Sequence, residues 1–400
     1  MLIQSLWMGK ARWSCFMRWP NDFVNKVICG DALSVLKTFP SESVDMAITS
    51  PPYWGLRDYG IEQIFGGDKD CEHEWMNITR KAKQTNWNEG FNQRWENSPT
   101  FSQKQDKAIK IPEMKQGYCK KCGAWKGQLG LEPTPEMYIE HMTIVFHELK
   151  RVLKKEGTFW LNIGDTYSGS NCGSNDYRKT KGLGARPKER YKGQKAGQTN
   201  LPSKCLCMIP ERLAWSLIQD GWILRNKGVW YKPNGIPSSV VDRFTNKWEH
   251  LFMFSKSKKY YFNLDAVREP YTEPLNRWGG NSLKAKGKST WDKGTGQETY
   301  RDRNMRPNPN GKNPGDVFII NTQPFPEAHF AVFPPKLVET PIKACCPKPG
   351  VVLDPFIGAG TTGFVAKKLG KDFIGIELNP KYAEMARKRI FGSLFKELRT

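Results

Sequence analysis

The sequence contains no uninterrupted run of about 18 apolar residues, so nothing in it reads as a helix that crosses a membrane. Residues 1–20 carry Lys10, Arg12 and Arg18 and lack the apolar core of a secretory signal. There is no internal repeat and no regular cysteine framework. Of 10 cysteines, Cys15, Cys29, Cys172, Cys205, Cys207, Cys345 and Cys346 are scattered, as in a protein of a reducing cytoplasm. Acid is scarce beside base: 40 Asp and Glu stand against 62 Lys and Arg, a net charge of +22. A chain this basic ordinarily meets a polyanion, most often nucleic acid; the plainer alternative is a well-solvated cationic surface.

What is present alternates. Strand patterns occur at "KVICGD" (26–31), "VDMAIT" (44–49), "TFWLNIGD" (158–165), "WILRNKGVWYK", "WEHLFMFSK", "GVVLDPF" and "DFIGIELN". Helical patterns lie among them: "ALSVLKTF", a long amphipathic stretch from Pro135 to Gly157, "PERLAWSLIQDG", "TTGFVAKKLG" and "PKYAEMARKRI". The last should start on Asn379 as N-cap with Pro380 in its first turn. The alternation predicts an α/β fold with a doubly wound, mostly parallel sheet. Three segments break it, namely 68–130, 168–200 and 263–315, and read as insertions at the sheet's loop ends. The expected organisation is a tail (1–24), core segments at 25–67, 131–262 and 316–400, and inserts at 68–130 and 263–315, with 168–200 a basic loop inside the second core segment.

"VVLDPFIGAGTTG" places Gly358, Gly360 and Gly363 between a strand and a helix, where glycines admit a close ligand and the helix start offers free amides. Glu377 ends the next strand, placed to take the ribose hydroxyls of an adenosine cofactor. A nicotinamide dinucleotide is one candidate. Asp354 argues against it, because a carboxylate repels pyrophosphate and pairs with a cationic amino group. The pattern leans to S-adenosylmethionine.

"TSPPYW" follows the strand at 44–49. Each proline fixes φ and removes an N–H, and the residue before each is pushed towards extended geometry. The Ser-Pro-Pro carbonyls should point outward with few local partners. A hydroxyl and a carbonyl held together can accept both protons of an exocyclic amine, and Tyr53 offers a flat face to a base. That suits N-methylation of an extruded nucleobase. The plainer reading is a rigid turn with Tyr53 in the core.

Together, "TSPPYW" and "DPFIGAGTTG" resemble the two signatures of the DNA amino-methyltransferases, which methylate cytosine N4 or adenine N6. Their order resembles the circularly permuted beta arrangement, and "GDAL", "WYKPNGIPSS", "FMFSKSKKYYFN" and "HFAVFPPKL" agree with it. The resemblance implies a Rossmann-like methyltransferase fold and S-adenosylmethionine as cofactor. It also implies double-stranded DNA as substrate, a cognate restriction endonuclease as partner, and a bacterial or phage-infected cytoplasm. Carried over residue by residue, it implies that Asp354, Phe356, Gly358 and Gly360 cradle the methionine part, with Glu377 on the ribose and Asp31 on the adenine amine. Ala32, Pro355, Thr361, Thr362 and Asn379 complete that set. Ser50 and Pro51 would orient the amine, Pro52 would stiffen the loop, and Tyr53 would stack on the base. Ser-Pro-Pro-Tyr is commoner in the family's cytosine-N4 enzymes and Asp-Pro-Pro-Tyr in its adenine-N6 enzymes. The lean is therefore to cytosine, with adenine as the alternative and a catalytically silent DNA-binding protein as the rival class. No cysteine nucleophile is expected, since direct transfer needs none.

Within 68–130, Cys71 and His73 are followed by Cys119 and Cys122, four ligands suited to tetrahedral structural Zn2+. Unrelated thiols or a redox pair are the alternatives; His141 and His147 read as surface or packing residues. Residues 178–195 hold eight Lys or Arg against one acid and suit phosphate contact, the alternative being a solvated loop. Segment 263–315 is the candidate for base readout.

Overall fold

The computed structural model describes residues 19–56, 61–68, 70–78, 116–168, 200–238, 240–271, 308, 310–323 and 333–392. The basic stretch 178–195, residues 79–115 of the Cys/His segment, residues 272–307 of the readout segment and residues 1–18 lie outside them. Along the chain come β1 (Lys26–Cys29), α1 (Ala32–Leu36), β2 (Val44–Thr49), β3 (Gln63–Phe65), β4 (Trp75–Ile78), β5 (Gln116–Cys119) and β6 (Trp125–Gly127). Then follow α2 (Pro135–Val152), β7 (Leu153–Ile163), α3 (Ile209–Gln219), β8 (Ile223–Tyr231), β9 (Trp248–Ser255) and β10 (Val317–Ile319). The C-terminal part adds α4 (Pro335–Cys345), β11 (Val351–Asp354), α5 (Thr361–Lys368), β12 (Asp372–Glu377) and α6 (Pro380–Gly392). Among the described residues no helix is long and apolar enough to cross a membrane.

The chain divides into two units. The first comprises Met1–Pro51, Phe146–Ile163 and Leu217–Thr400; the second, Pro52–Val145 and Gly164–Ser216. The first unit is built on an eight-stranded sheet of order β1-β12-β11-β2-β7-β9-β8-β10. Neighbours from β1 to β7 are parallel, and β9 runs antiparallel to both β7 and β8. A parallel sheet is covered on both faces, and β2 accordingly buries all six of its residues. On one face Met46, Ile48 and Val352 pack with Leu337 and Ile342 of α4, Val365 of α5 and Ala386 of α6. On another part of the core, Phe159 of β7 meets Phe146, Phe254 and Trp222 at ring-centroid distances of 4.8, 5.9 and 5.3 Å.

Strands from the two ends of the chain meet in this sheet. β1 lies beside β12, and β2 beside β11, so the order reverses between β11 and β2. At the start of β11, Asp45 accepts the Val351 amide at 2.9 Å; at its end, the Thr49 hydroxyl donates to Asp354 at 2.6 Å. Two buried acids therefore fasten β2 to β11 where the sheet changes direction.

One boundary differs from the sequence pattern. The helix expected to run to Gly157 stops at Val152, and β7 begins at Leu153 rather than Thr158. Leu153 is fully buried and pairs with Val44, and the register shifts between Val44 and Met46. Sheet pairing outweighs the helical preference of the Lys-Lys-Glu run that follows. The second unit carries its own antiparallel sheet of order β3-β6-β5-β4. It starts at Gln63, upstream of the insert boundary read from composition.

Candidate active site

In the first unit, β1, β12, β11 and β2 are adjacent and parallel, so their C-terminal ends form one edge. Asp31 lies two residues beyond β1, Glu377 ends β12, Asp354 ends β11 and Ser50 follows β2. Ligands of open α/β sheets bind outside such an edge, at the point where strand order reverses. Residues far apart in sequence are thus brought to one place: Asp31, Ala32, Ser50, Pro51, Pro355, Phe356, Gly358, Gly360, Thr361, Thr362 and Asn379.

The turn from β11 into α5 is held by its acids. Glu377 accepts the Gly358 amide at 3.0 Å and the Asn379 amide at 2.8 Å. Gly360, the residue before α5, has φ +83°, and a Cβ there would stand 3.0 Å from the Ala386 backbone of α6. Only glycine meets both demands. Asp31 caps α1 by accepting the Ser34 amide at 2.7 Å. Asn379 caps α6 through the Lys381 amide at 2.9 Å, as its sequence predicts. Thr361 accepts a 2.8 Å hydrogen bond from Arg389.

Asp354 is completely buried. Its carboxylate takes the Thr49 and Thr362 hydroxyls, each at 2.6 Å, and the Phe356 amide at 3.0 Å. The oxygens expected to face a ligand's ammonium are engaged in clamping the loop. Burial pushes this carboxyl up to about 6 against the pull of those donors. Burial likewise raises Glu377 to about 7, opposed by its two amide donors and reinforced by the negative field of Asp354.

The division between the units falls inside the Ser-Pro-Pro-Tyr motif, after Pro51. Within the second unit, the Pro52 carbonyl accepts the Tyr138 hydroxyl at 2.8 Å. That corrects the expectation of open carbonyls along the whole motif: Tyr138 is fully buried, and its hydroxyl must find an acceptor. The half-buried Tyr53 ring lies so close to Gly164 that a Cβ there would stand 2.7 Å from Cε2. The Gly55 amide donates to the Gly130 carbonyl at 2.8 Å, and Trp54 donates to the Glu132 carbonyl at 3.0 Å.

Glu132 escaped the sequence reading. Its buried carboxylate accepts the Gly130 amide at 2.8 Å and lies 3.0 Å from His141 Nδ1. Burial raises its pKa, with the His141 hydrogen bond working in the opposite direction. His141 is buried against the rings of Phe65 and Trp125, with centroids 4.3 and 5.3 Å away. It is a packing residue with a polar partner, whereas His147 is exposed and paired with Asp220 at 2.7 Å. A signal existed in "GLEPTP", an acid flanked by leucine and proline. Nothing in the sequence said which histidine it would meet.

The second unit also gathers Cys71, His73, Cys119 and Cys122. Their ligand atoms all lie within 4.8 Å of one another. By contrast, Cys345 and Cys346 are buried in the first unit's core, and burial pushes their thiols up to about 11 and about 12. Neither is a ready nucleophile.

Comparison with known proteins bears on this geometry. A family model described as DNA methylase, of the N6/N4 type, matches residues 44–388. Type II methyltransferase M.XycI of Xanthomonas campestris pv. cyanopsidis is 34% identical over 366 residues, covering 91% of this chain and 86% of the relative. Type II methyltransferase M.SmaI of Serratia marcescens is 33% identical over 368 residues, covering 91% and 90%. Among solved structures, PvuII DNA methyltransferase (cytosine-N4-specific) superposes with a TM-score of 0.50 at 16% identity, covering 92% of this chain and 89% of that one. At that identity the likeness is one of fold.

Proposed function

The chain belongs to the N6/N4 DNA methylase family, and from that premise we propose that it transfers a methyl group from S-adenosylmethionine to the exocyclic N4 of cytosine, at a defined site in double-stranded DNA. The observation that carries this reading is the edge where Asp31, Asp354, Glu377, the glycine loop and Ser50 meet. Two acids at one edge, Asp31 and Glu377, suit a cationic ligand with a ribose and disfavour a pyrophosphate. In this reading Glu377 holds the ribose, Asp31 the adenine amine, and Phe356, Gly358 and Gly360 the methionine part. Ala32, Pro355, Thr361, Thr362 and Asn379 surround them. Asp354 acts through the loop it clamps.

When bound, S-adenosylmethionine supplies a methyl group activated by its sulfonium. The chain supplies position. The Ser50 hydroxyl and Pro51 carbonyl accept the two amine protons, which fixes the direction of the nitrogen lone pair. Tyr53 stacks on the extruded base, and the two residues after it are held in place, Trp54 by the Glu132 carbonyl and Gly55 by the Gly130 carbonyl. No thiolate is needed, consistent with the raised pKa of Cys345 and Cys346. Ser50 at the head of the motif supports cytosine over adenine, because Ser-Pro-Pro-Tyr is commoner in the cytosine-N4 enzymes that this chain resembles. The excess of basic residues supports grip on phosphates, to which residues 178–195 are assigned, and segment 263–315 is assigned to base readout. The relatives bear the name Type II, so an endonuclease sharing the recognition site is the partner this reading implies.

The test uses the full-length protein, unmethylated duplex DNA and methyl-labelled S-adenosylmethionine, followed by digestion to nucleosides. Label in N4-methylcytosine supports the proposal. Label in N6-methyladenine selects the alternative base. Absence of label, with cofactor bound, overturns the catalytic reading.

A further inference from the structure

We propose that Cys71, His73, Cys119 and Cys122 bind one zinc ion that cross-links the four-stranded sheet. The spacing is that of ligands around a single ion. Cys71 Sγ and Cys119 Sγ are 3.8 Å apart, and Cys122 Sγ lies 3.3 Å from His73 Nδ1. Zinc–sulfur bonds of about 2.3 Å at tetrahedral angles separate two sulfurs by about 3.8 Å, and zinc–nitrogen bonds near 2.0 Å bring a nitrogen to about 3.5 Å from a sulfur. A disulfide would need sulfurs about 2.05 Å apart, roughly half the observed separation.

The surrounding backbone leaves room for an ion. Gly67 has φ +72°, and a Cβ there would lie 2.7 Å from Cys122 Sγ and 2.5 Å from the Ala124 side chain. Gly123, also at φ +72°, closes the turn by donating its amide to the Cys119 carbonyl at 2.9 Å. The Cys119 amide returns a bond to the Ala124 carbonyl at 2.7 Å. One ligand pair precedes β4 and the other spans the end of β5 and its turn, and Trp75 of β4 pairs directly with Cys119 of β5. The His73 ring packs on Trp75 at 4.7 Å. An ion here would therefore join two neighbouring strands at their common end.

Chemistry and energetics both point to a structural site. Three thiolates and an imidazole are soft donors that suit zinc over magnesium or calcium. With four protein ligands no position is left for substrate or water. The sheet is made of strands of three or four residues, and short sheets with small cores gain their stability from such staples.

The test measures metal content of the purified full chain by mass spectrometry. One zinc per chain is expected, falling below about a tenth in Cys119→Ser and Cys122→Ser while Cys205→Ser retains it. His73→Cys, which keeps four ligands, should also retain zinc, so the site stays testable if the serine variants do not fold. Cobalt substitution should give the visible bands of a tetrahedral, thiolate-ligated ion. A natively folded wild type without metal, iron in place of zinc, a Cys119–Cys122 disulfide, or unchanged zinc in the serine variants would overturn the assignment. None of these readouts depends on methyl transfer.

Discussion

In the eight-stranded sheet, β2 buries all six residues and is fastened to β11 by acids at both ends. In the four-stranded sheet, no strand exceeds four residues, Ile64 and Met76 are exposed, and the ligand atoms of four side chains converge at one corner. The first region is held by apolar area, with polar clamps choosing its geometry. The second buries Phe65 and Trp125 on strands of only three or four residues, and on our proposal a metal adds to that hold. The two regions also treat their buried carboxylates differently. Asp354 is satisfied by a hydroxyl from β2, a hydroxyl from α5 and an amide of the turn between β11 and α5, whereas Glu132 depends on an amide and a histidine. One prediction from this contrast is that chelating the metal breaks one region and spares the other. Hydrogen exchange should show amides of β5 and β6 losing protection while those of β11 and β12 keep theirs, with S-adenosylmethionine affinity unchanged. Uniform loss across both sheets would erase the distinction.

A smaller break is Glu132→Ala. It leaves the Gly130 amide and His141 without their buried acceptor and should destabilise the second unit by about 2–4 kcal/mol in denaturant titrations. Thr49→Val, which removes one of three donors to Asp354, should cost about 1–2 kcal/mol. Equal effects would mean that the two acids are equivalent anchors. Tyr53→Ala separates function from stability. Loss of a stacking face should lower kcat/KM roughly 10- to 100-fold, with cofactor affinity in binding titrations unchanged. A collapse of cofactor affinity would remove Tyr53 from the base-stacking role.

The smallest effect sharpens the comparison through pH. Glu377 is raised to about 7, so below that pH it is protonated in the ligand-free protein. A ribose donor and a cationic ligand favour its ionised form, so cofactor affinity should rise with pH and level off above about 7. The change is up to about tenfold per pH unit below that point. The same raised value means that the ligand-free folded state holds this proton longer than the unfolded chain does. Its stability contribution is therefore greatest at low pH and declines as pH rises from about 4.5 towards 7. Glu377→Gln should flatten the affinity profile, measured by calorimetry; an unchanged profile would place the titrating group elsewhere.

The legible parts of the molecule were those written in contiguous residues. The glycine loop, Glu377 at a strand tip and the Asn379-Pro380 helix start each announce a local geometry, and together they locate one edge of a sheet. The Cys-x-His and Cys-x-x-Cys pairs were visible for the same reason. Long-range partners were not. That Tyr138 occupies the Pro52 carbonyl, or that Glu132 meets His141, follows from how a helix packs, which spacing does not encode. The early start of β7 was hidden because its first residues are polar and helix-forming, and Leu153 becomes a strand residue only by pairing with Val44.

The most direct test of the central claim is to express the chain in a bacterial strain lacking DNA methylation and sequence its genome by a method that separates N4-methylcytosine from N6-methyladenine. N4-methylcytosine is expected at one defined motif, at a smaller fraction of its sites in Tyr53→Ala. Unmodified DNA from cells containing folded, cofactor-binding protein would contradict it.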